Sequence, residues 1–215
     1  MCVELAVMRA KNQGPRGLLE RVHGGYVQQR RARSLSTAIG RIIPNDARVL
    51  DIGCGDGLID RMISEERPDL TFRGIDVLIR EKTHGDIRSF DGTHIPFDDC
   101  SFDVVALVDV IHHSHEPRRL LEEARRIATH CIVIKDVMLE GFLSGPTLRF
   151  MDRIGNERFG VACPFNFWTR TQWMEAFRAL DLTVERWESN LSIYPRPASW
   201  IFERSFHFVA RLVIS

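Results

Sequence analysis

The spacing of hydrophobic positions changes near residue 45 of this chain. Before that point apolar residues recur every three to four positions, first over residues 18–22 and then over residues 35–43, which predicts helices. Gly24-Gly25 interrupts the pattern and Pro44 ends it. The first 44 residues are therefore expected to form a helical cap on the rest of the chain.

From Arg48 onward short apolar runs alternate with helical stretches, which is typical of an α/β domain with a doubly wound, mostly parallel sheet. The run from Ser101 to Val110 is apolar enough for a central strand that is buried on both faces. The predicted strands are Arg48–Ile52, Thr71–Ile75, one beginning near Ile87, Ser101–Val110, Cys131–Ile134, Leu182–Glu188 and Ser205–Ile214, and the predicted helices are Leu58–Glu66, Glu116–Ala128 and Thr171–Leu180.

Residues 137–168 depart from this alternation. They are rich in Gly, Phe and Met, and we expect them to form an inserted lid that either completes the core or walls an apolar substrate pocket. Arg149 and Asn166 are the polar side chains of this segment expected to contact a ligand. The expected organisation is thus a cap over residues 1–44 and a Rossmann-like domain over residues 45–215 that contains the lid.

Composition and charge are those of an ordinary globular protein. The chain has 215 residues, 44% of them hydrophobic, and its 29 basic and 29 acidic residues cancel, so no overall field attracts nucleic acid or an anionic membrane. A basic patch between Arg9 and Arg41 is expected to be a solvated helix face rather than a contact for RNA. The sequence shows neither a membrane-spanning run nor a secretory signal, so we expect a cytoplasmic protein. The five cysteines form no C-x-x-C motif and indicate neither a disulfide framework nor a zinc site.

The clearest chemical signal is the segment Asp51-Ile-Gly-Cys-Gly-Asp-Gly57. A buried strand runs into a glycine-rich turn that opens a helix, so the backbone can approach a ligand closely and free N–H groups lie nearby. The next strand ends at Asp76, and an acid at that position can accept hydrogen bonds from two ribose hydroxyls. The segment and Asp76 together predict a site for a nucleoside cofactor.

The residues of the turn also indicate which nucleoside fits. A dinucleotide fingerprint would need glycine where the chain has Leu58. Asp51 and Asp56 would repel a pyrophosphate, whereas they suit a cofactor that carries a sulfonium and an amino group. These residues disfavour a nicotinamide-dependent oxidoreductase.

At this point the chain resembles the class I S-adenosylmethionine-dependent methyltransferases, particularly the broad ubiquinone and menaquinone C-methylase-like group with a type 11 methyltransferase domain. The resemblance covers about residues 45–135 well and the rest loosely. It is carried by Asp51–Gly57, Gly74–Asp76, Asp91–Phe97 followed by Ser101–Val105, and Asp109–His113. It implies a Rossmann-like sheet of seven strands with the last antiparallel, S-adenosylmethionine as cofactor and S-adenosylhomocysteine as product.

The resemblance also assigns a cofactor site. The glycine turn would hold the methionine part, Asp76 the ribose and Asp91 the adenine amine, with Asp86 as a rival for the last contact. Tyr26 of the N-terminal segment would either contact the methionine end or simply pack. The cofactor-binding residues expected in full are Tyr26, Asp51, Gly53, Cys54, Gly55, Gly57, Asp76, Asp91, Gly92, Val108 and Asp109.

One segment departs from the family pattern. Only ten residues, Val77 to Asp86, separate Asp76 from the strand expected near Ile87. A parallel crossover usually takes a dozen or more residues, typically with a helix, so that helix is expected to be truncated. The N-terminal helices, the lid or a second subunit would then cover one face of the sheet.

Candidate catalytic residues follow the strands of the second half of the sheet. Methyl transfer depends mainly on positioning, exclusion of water and, for weak nucleophiles, proton removal. His112, His113 and Asp136 lie where such a sheet binds ligands, and the two histidines either act as a base or only shape the pocket. A metal cluster that adds His115 and Glu116 is disfavoured, because neighbouring side chains diverge there and no second ligand group is evident, so no metal is expected.

The expected reaction is transfer of a methyl group to a small, apolar or aromatic acceptor by in-line displacement. The composition of the lid and the neutral charge favour that substrate class, with no nucleic-acid partner. An RNA or protein acceptor and a non-catalytic S-adenosylmethionine-binding role remain as alternatives. A dimer is left open.

Overall fold

The structure is a computed structural model that describes residues 29–141, 143–156, 164–189, 191–194 and 206–214. Within those residues the strands are β1 (Arg48–Ile52), β2 (Thr71–Asp76), β3 (Ile87–Ser89), β4 (Phe102–Val108), β5 (Ala128–Val137), β6 (Leu182–Glu188) and β7 (His207–Ile214). The helices are α1 (residues 29–40), α2 (Leu58–Glu66), α3 (Pro117–Ile127), α4 (Ser144–Asn156) and α5 (Arg170–Ala179), with a short 3-10 helix at Ile111–His113.

The seven strands of the described residues form one sheet in the order β3-β2-β1-β4-β5-β7-β6. β1, β2, β3, β4 and β5 pair in parallel, and β7 runs antiparallel to both of its neighbours. The α/β fold class and the antiparallel last strand are thereby confirmed. The strand order reverses between β1 and β4, and the crevice beyond the carboxyl ends at such a point is where open α/β sheets bind ligands.

Helices cover both faces of the sheet because successive strand residues point to opposite sides. α1 and α2 pack on one face with Leu35, Ile39, Ile63, Val49 and Val104 in a shared core. α3 and α5 pack on the other face with Leu121, Trp173, Phe177, Leu50 and Val105. The ligand crevice at the carboxyl edge therefore rests on a rigid, doubly covered sheet.

The truncated crossover is confirmed. Residues 77–86, all of which the structure describes, form no helix between β2 and β3. A cavity of about 290 Å³ lies between α2 and this crossover, with Phe72, Gly74 and Ile87 in its wall. α1 and α2 pack on this face of the sheet as expected.

Two regions differ from the sequence prediction. β5 continues to Val137, past the predicted end at Ile134, because Lys135 and Asp136 are buried inside the strand rather than exposed after it. In the described part of the lid, α4 forms and Leu148 joins Val137 and Phe167 in a small core cluster. Leu148 and Phe167 of the lid are thus buried, while Phe165 beside them is only partly buried. None of the described helices has the length and apolar composition needed to cross a membrane.

Candidate active site

The glycine turn after β1 depends on backbone that other residues rarely adopt. Gly53, Gly55 and Gly57 have φ angles of 73°, 64° and 76°. A Cβ on Gly53 would lie 2.5 Å from the side chain of Val110, and a Cβ on Gly74 would lie 2.5 Å from Sγ of Cys54. The turn thus brings the ends of β1, β2 and β4 close together.

Asp76 is fixed beside this turn. Its Oδ2 accepts a hydrogen bond from the Gly55 backbone N–H at 2.8 Å, and its Oδ1 accepts one from Leu78 at 2.9 Å. Each carboxylate oxygen can accept a further hydrogen bond, so Asp76 can also meet the two hydroxyls of a ribose. The carboxylate is held at the carboxyl end of β2, as its predicted role requires.

Asp91 and Asp86 lie at opposite ends of β3. Asp91 follows the strand, and its Oδ1 accepts hydrogen bonds from the Thr93 and His94 backbone N–H groups at 2.8 and 2.7 Å, which lower the pKa of this carboxyl. Asp86 precedes the strand and pairs with Arg73 at 3.3 Å. Only Asp91 therefore shares the carboxyl edge with Asp76.

A buried carboxyl group, Asp51, and a half-buried one, Asp60, interact under the glycine turn. Asp51 is 2% exposed, and burial together with neighbouring Asp60 and Asp76 raises its pKa well above its usual range. Burial likewise raises the pKa of Asp60, to about 7, although its hydrogen bond with Asp51 opposes the shift. Oδ1 of Asp51 has no hydrogen-bond partner within the described residues. A buried, polar acceptor therefore remains at the base of the turn.

Asp60 was not among the predicted site residues. The signal for it is a charged residue on the same face of α2 as Ile63, which is three positions later and fully buried. An acid on a buried helix face is uncommon, and here it lies against the turn that carries the strongest motif.

The carboxyl end of β4 carries a partly buried cluster of ion pairs. Asp109 pairs with Lys135 of β5 and with Arg31 of α1. Burial alone would raise the pKa of Asp109, but the two cations lower it overall. Lys135 is 1% exposed, and burial lowers its pKa. The cluster ties α1 to the edge of the sheet.

Arg31 departs from the prediction that the basic patch is a solvated face. Its guanidinium is committed to Asp109, whereas Arg33 and Arg41 of the same patch are exposed as expected. Lys135 was also missed, although a charged pair inside the apolar run Cys131–Val137 was a signal that the strand buries charge.

His112 is oriented by Asp136. Its Nδ1 lies 2.6 Å from Oδ1 of Asp136, which is fully buried and also accepts hydrogen bonds from the backbone N–H groups of Ile111 and Val137. Burial by itself lowers the pKa of His112, but Asp136 and Asp152 outweigh it and raise the pKa to about 10. A pKa of about 10 means that His112 is protonated at neutral pH.

The lid supplies a further carboxylate to this cluster. Oδ1 of Asp152, on α4, lies 3.3 Å from Nε2 of His113 and 3.7 Å from Nε2 of His112. Asn166 donates from its backbone to the His112 carbonyl and from its side chain to Ser114, at 3.2 and 2.7 Å. Asp152 was missed because no helical pattern was recognised within the lid.

The predicted cofactor residues assemble at one edge of the sheet, as far as the structure describes them. Val108 is the last residue of β4, and an added Cβ on Gly92 would lie 3.1 Å from Val77, so residue 92 adjoins the end of β2. Tyr26 lies outside the described residues. Arg149 stacks on Phe165 at 6.0 Å, so both polar lid residues make contacts within the protein.

Known proteins resemble this chain in sequence and in fold. A model of the methyltransferase domain family matches residues 50–130. A demethylmenaquinone methyltransferase from Thermotoga maritima is 31% identical over 90 residues, which is 39% of this chain and 39% of that protein's length. The matched part thus spans about two fifths of that relative.

Solved structures extend the similarity beyond the matched segment. A chain from the complex between the Haloferax volcanii Trm112 methyltransferase activator and a methyltransferase has a TM-score of 0.64 at 18% identity, covering 88% of this chain and 93% of that one. A Thermotoga maritima methyltransferase that depends on S-adenosylmethionine has a TM-score of 0.61 at 19% identity, covering 93% and 97%. At these identities the likeness concerns the fold, which is Rossmann-like and shared by both structures.

Proposed function

We propose that this protein methylates a small, apolar or aromatic acceptor with S-adenosylmethionine. The proposal starts from the match of residues 50–130 to the methyltransferase domain family and from the class I fold of the chain. The observation that carries the proposal is the fixed pairing of the three-glycine turn with Asp76, through the 2.8 Å hydrogen bond from Gly55. Both belong to the matched segment.

The residues of the turn fit this cofactor. S-adenosylmethionine supplies a methyl group that is already activated by a sulfonium, so the protein has to bind and align rather than activate it. Asp76 has acceptor capacity for the ribose, and Asp91 stands at the same edge for the adenine amine. The buried, unpaired Oδ1 of Asp51 suits a positively charged ligand end.

His112, His113 and Asp136 are placed at the acceptor end of the crevice in this proposal. Asp136 is a positioning residue, since it fixes the His112 ring at 2.6 Å and is itself fully buried. A protonated His112 orients the acceptor and stabilises charge rather than removing a proton.

The described lid residues support an apolar or aromatic acceptor. Phe167 lies 5.6 Å from the His112 ring, and Phe165 lies 6.1 Å from Phe167. An RNA acceptor depends on the basic patch, and Arg31 of that patch already carries an ion pair with Asp109. The small acceptor is therefore favoured.

Transfer of a labelled methyl group tests this proposal. The full chain is incubated with methyl-labelled S-adenosylmethionine in separate reactions, each of which contains one class of acceptor. The acceptors are a panel of phenols and quinols, RNA, and a protein extract. We expect label in the small aromatic products, with at least about a tenfold excess over the Asp76→Ala variant at limiting cofactor.

Each other outcome has a definite meaning. Label in RNA or protein contradicts the acceptor class, and steep loss of RNA labelling with added salt would identify phosphate contacts. Tight cofactor binding without transfer to any acceptor supports the non-catalytic role instead.

A further inference from the structure

We infer that His112, His113 and Asp152 form a binding site for a divalent transition-metal ion of the zinc class. One ring nitrogen of each histidine and a carboxylate oxygen of Asp152 all lie within 4.8 Å of one another. The two nitrogen–oxygen distances are 3.7 and 3.3 Å. Around one zinc ion with bonds of roughly 2.0–2.2 Å, ligand atoms lie roughly 3–3.5 Å apart. The three groups therefore need only small shifts to share an ion.

Asp136 provides the partner that metal-binding histidines usually have. Its Oδ1 lies 2.6 Å from Nδ1 of His112, and its carboxylate accepts hydrogen bonds from two backbone N–H groups. This contact turns Nε2 of His112 toward Asp152 and His113. A carboxylate behind a histidine fixes the ring and raises its basicity as a ligand. Asp136 thus orients a ligand without binding the ion itself.

The neighbouring cations do not oppose an ion at this site. Lys135 and Arg31 share the single carboxylate of Asp109, and the two further carboxylates, Asp136 and Asp152, outweigh the one positive charge that is left. The cluster itself has two buried carboxylates, Asp136 and Asp152, and a divalent ion would neutralise them. Without an ion, the protonated His112 faces both carboxylates.

The ligand set also indicates the class of metal and its use. Imidazole and carboxylate ligands suit zinc and its first-row neighbours, and three protein ligands leave a fourth position for water or a substrate atom. The ion goes beyond the proposed methyl transfer, which neither requires nor supplies it.

Cobalt titration of the metal-stripped full chain at neutral pH tests the inference. Co²⁺ is the probe because its visible absorption reports low-coordinate histidine and carboxylate ligation. We expect one Co²⁺ per chain, displaced by Zn²⁺. His113→Ala and Asp152→Asn should each weaken the Co²⁺ affinity by about tenfold or more, and Asp136→Asn should weaken it by about 10–100-fold.

His115→Ala is the matched control. His115 lies two positions after His113 but is exposed and outside the cluster, so its loss should leave Co²⁺ affinity unchanged. Circular dichroism verifies that each variant is folded. A wild-type chain without the visible band contradicts the site whatever the variants do, as does a band of equal affinity in His113→Ala and Asp152→Asn. Because none of these readouts uses S-adenosylmethionine, failure of the methyl-transfer proposal would be seen separately.

Discussion

At the scale of single residues, the acids of the crevice differ by what faces them. Asp76 and Asp91 accept backbone N–H groups and remain open to a ligand. Asp109 pairs with two cations, whereas Asp51 faces Asp60, and burial raises the pKa of Asp51. The same side-chain type is therefore suited to three tasks: binding a ligand, tying elements together and supporting the glycine turn.

Removing the acids proposed to bind the cofactor should selectively lower the affinity for it. Asp76→Ala should reduce S-adenosylhomocysteine affinity by at least about tenfold, because it removes a charge-assisted contact. Asp91→Ala should also reduce this affinity. Asp86→Ala is the control, since Asp86 precedes β3 and is paired with Arg73. Isothermal titration measures all three. Unchanged affinity in Asp76→Ala, or a greater loss in Asp86→Ala than in Asp91→Ala, contradicts the assignment.

The carboxyl pair under the turn should make stability depend on pH. Asp60 titrates near 3.8 when exposed and near 7 in the folded protein, so the folded state keeps a proton that the unfolded chain releases. The contribution of Asp60 to the unfolding free energy is complete below the pKa of the unfolded chain. It is lost as pH rises through the pKa of the folded protein. Unfolding free energy should therefore fall across that interval.

Asp60→Asn tests this dependence because an amide does not titrate. We expect urea unfolding to show a clearly smaller loss of stability between about pH 5 and pH 8 in the variant than in the wild type. Asp98→Asn changes an exposed acid and should keep the wild-type loss. Parallel curves for the wild type and Asp60→Asn would show that the pair does not hold an extra proton.

At the scale of elements, α1 is fastened to the sheet by packing and by one ion pair. Leu35 and Ile39 bury its inner face, and Arg31 reaches Asp109 beyond the end of β4. Because Asp109 also holds Lys135 of β5, a single carboxylate connects three elements at the crevice. A change in these ion pairs should therefore alter the stability of α1.

Cutting the ion pair should loosen α1. In Arg31→Ala, amide hydrogen exchange over residues 29–40 should accelerate by about threefold to tenfold, as expected for loss of a partly exposed pair of about 1 kcal/mol. Arg33→Ala removes an exposed charge from the same helix and serves as the control. Equal exchange in the two variants would mean that packing alone holds the helix.

Elements with a clear pattern were predictable, and those that bury charge were not. β1, α2 and β6 have the bounds that periodicity and turn residues indicate. β5 was predicted too short because Lys135 and Asp136 interrupt its apolar run, and their burial depends on Asp109 and His112, which lie on another strand end. A local pattern cannot show partners that are distant in sequence.

At the scale of the whole molecule, the chain's function follows from bringing distant segments to one edge of the sheet. The glycine turn and its acids were predictable because they are adjacent to strands with clear bounds. The contact of Asp152 with His112 and His113 was not, since it depends on how α4 returns to β4. The β-bridge between Met138 and Trp168 joins the two ends of the segment that contains α4.

The central claim is that this edge binds S-adenosylmethionine, and thermal unfolding of the full chain tests it most directly. The midpoint is measured without ligand and with S-adenosylmethionine, S-adenosylhomocysteine or NADH. At a hundredfold excess over its dissociation constant a ligand adds roughly 2.7 kcal/mol, which for this size is a rise of roughly 5–10 °C. We predict that rise with the two sulfur nucleosides and none with NADH. A rise with NADH alone, or with none of the three, would contradict the claim.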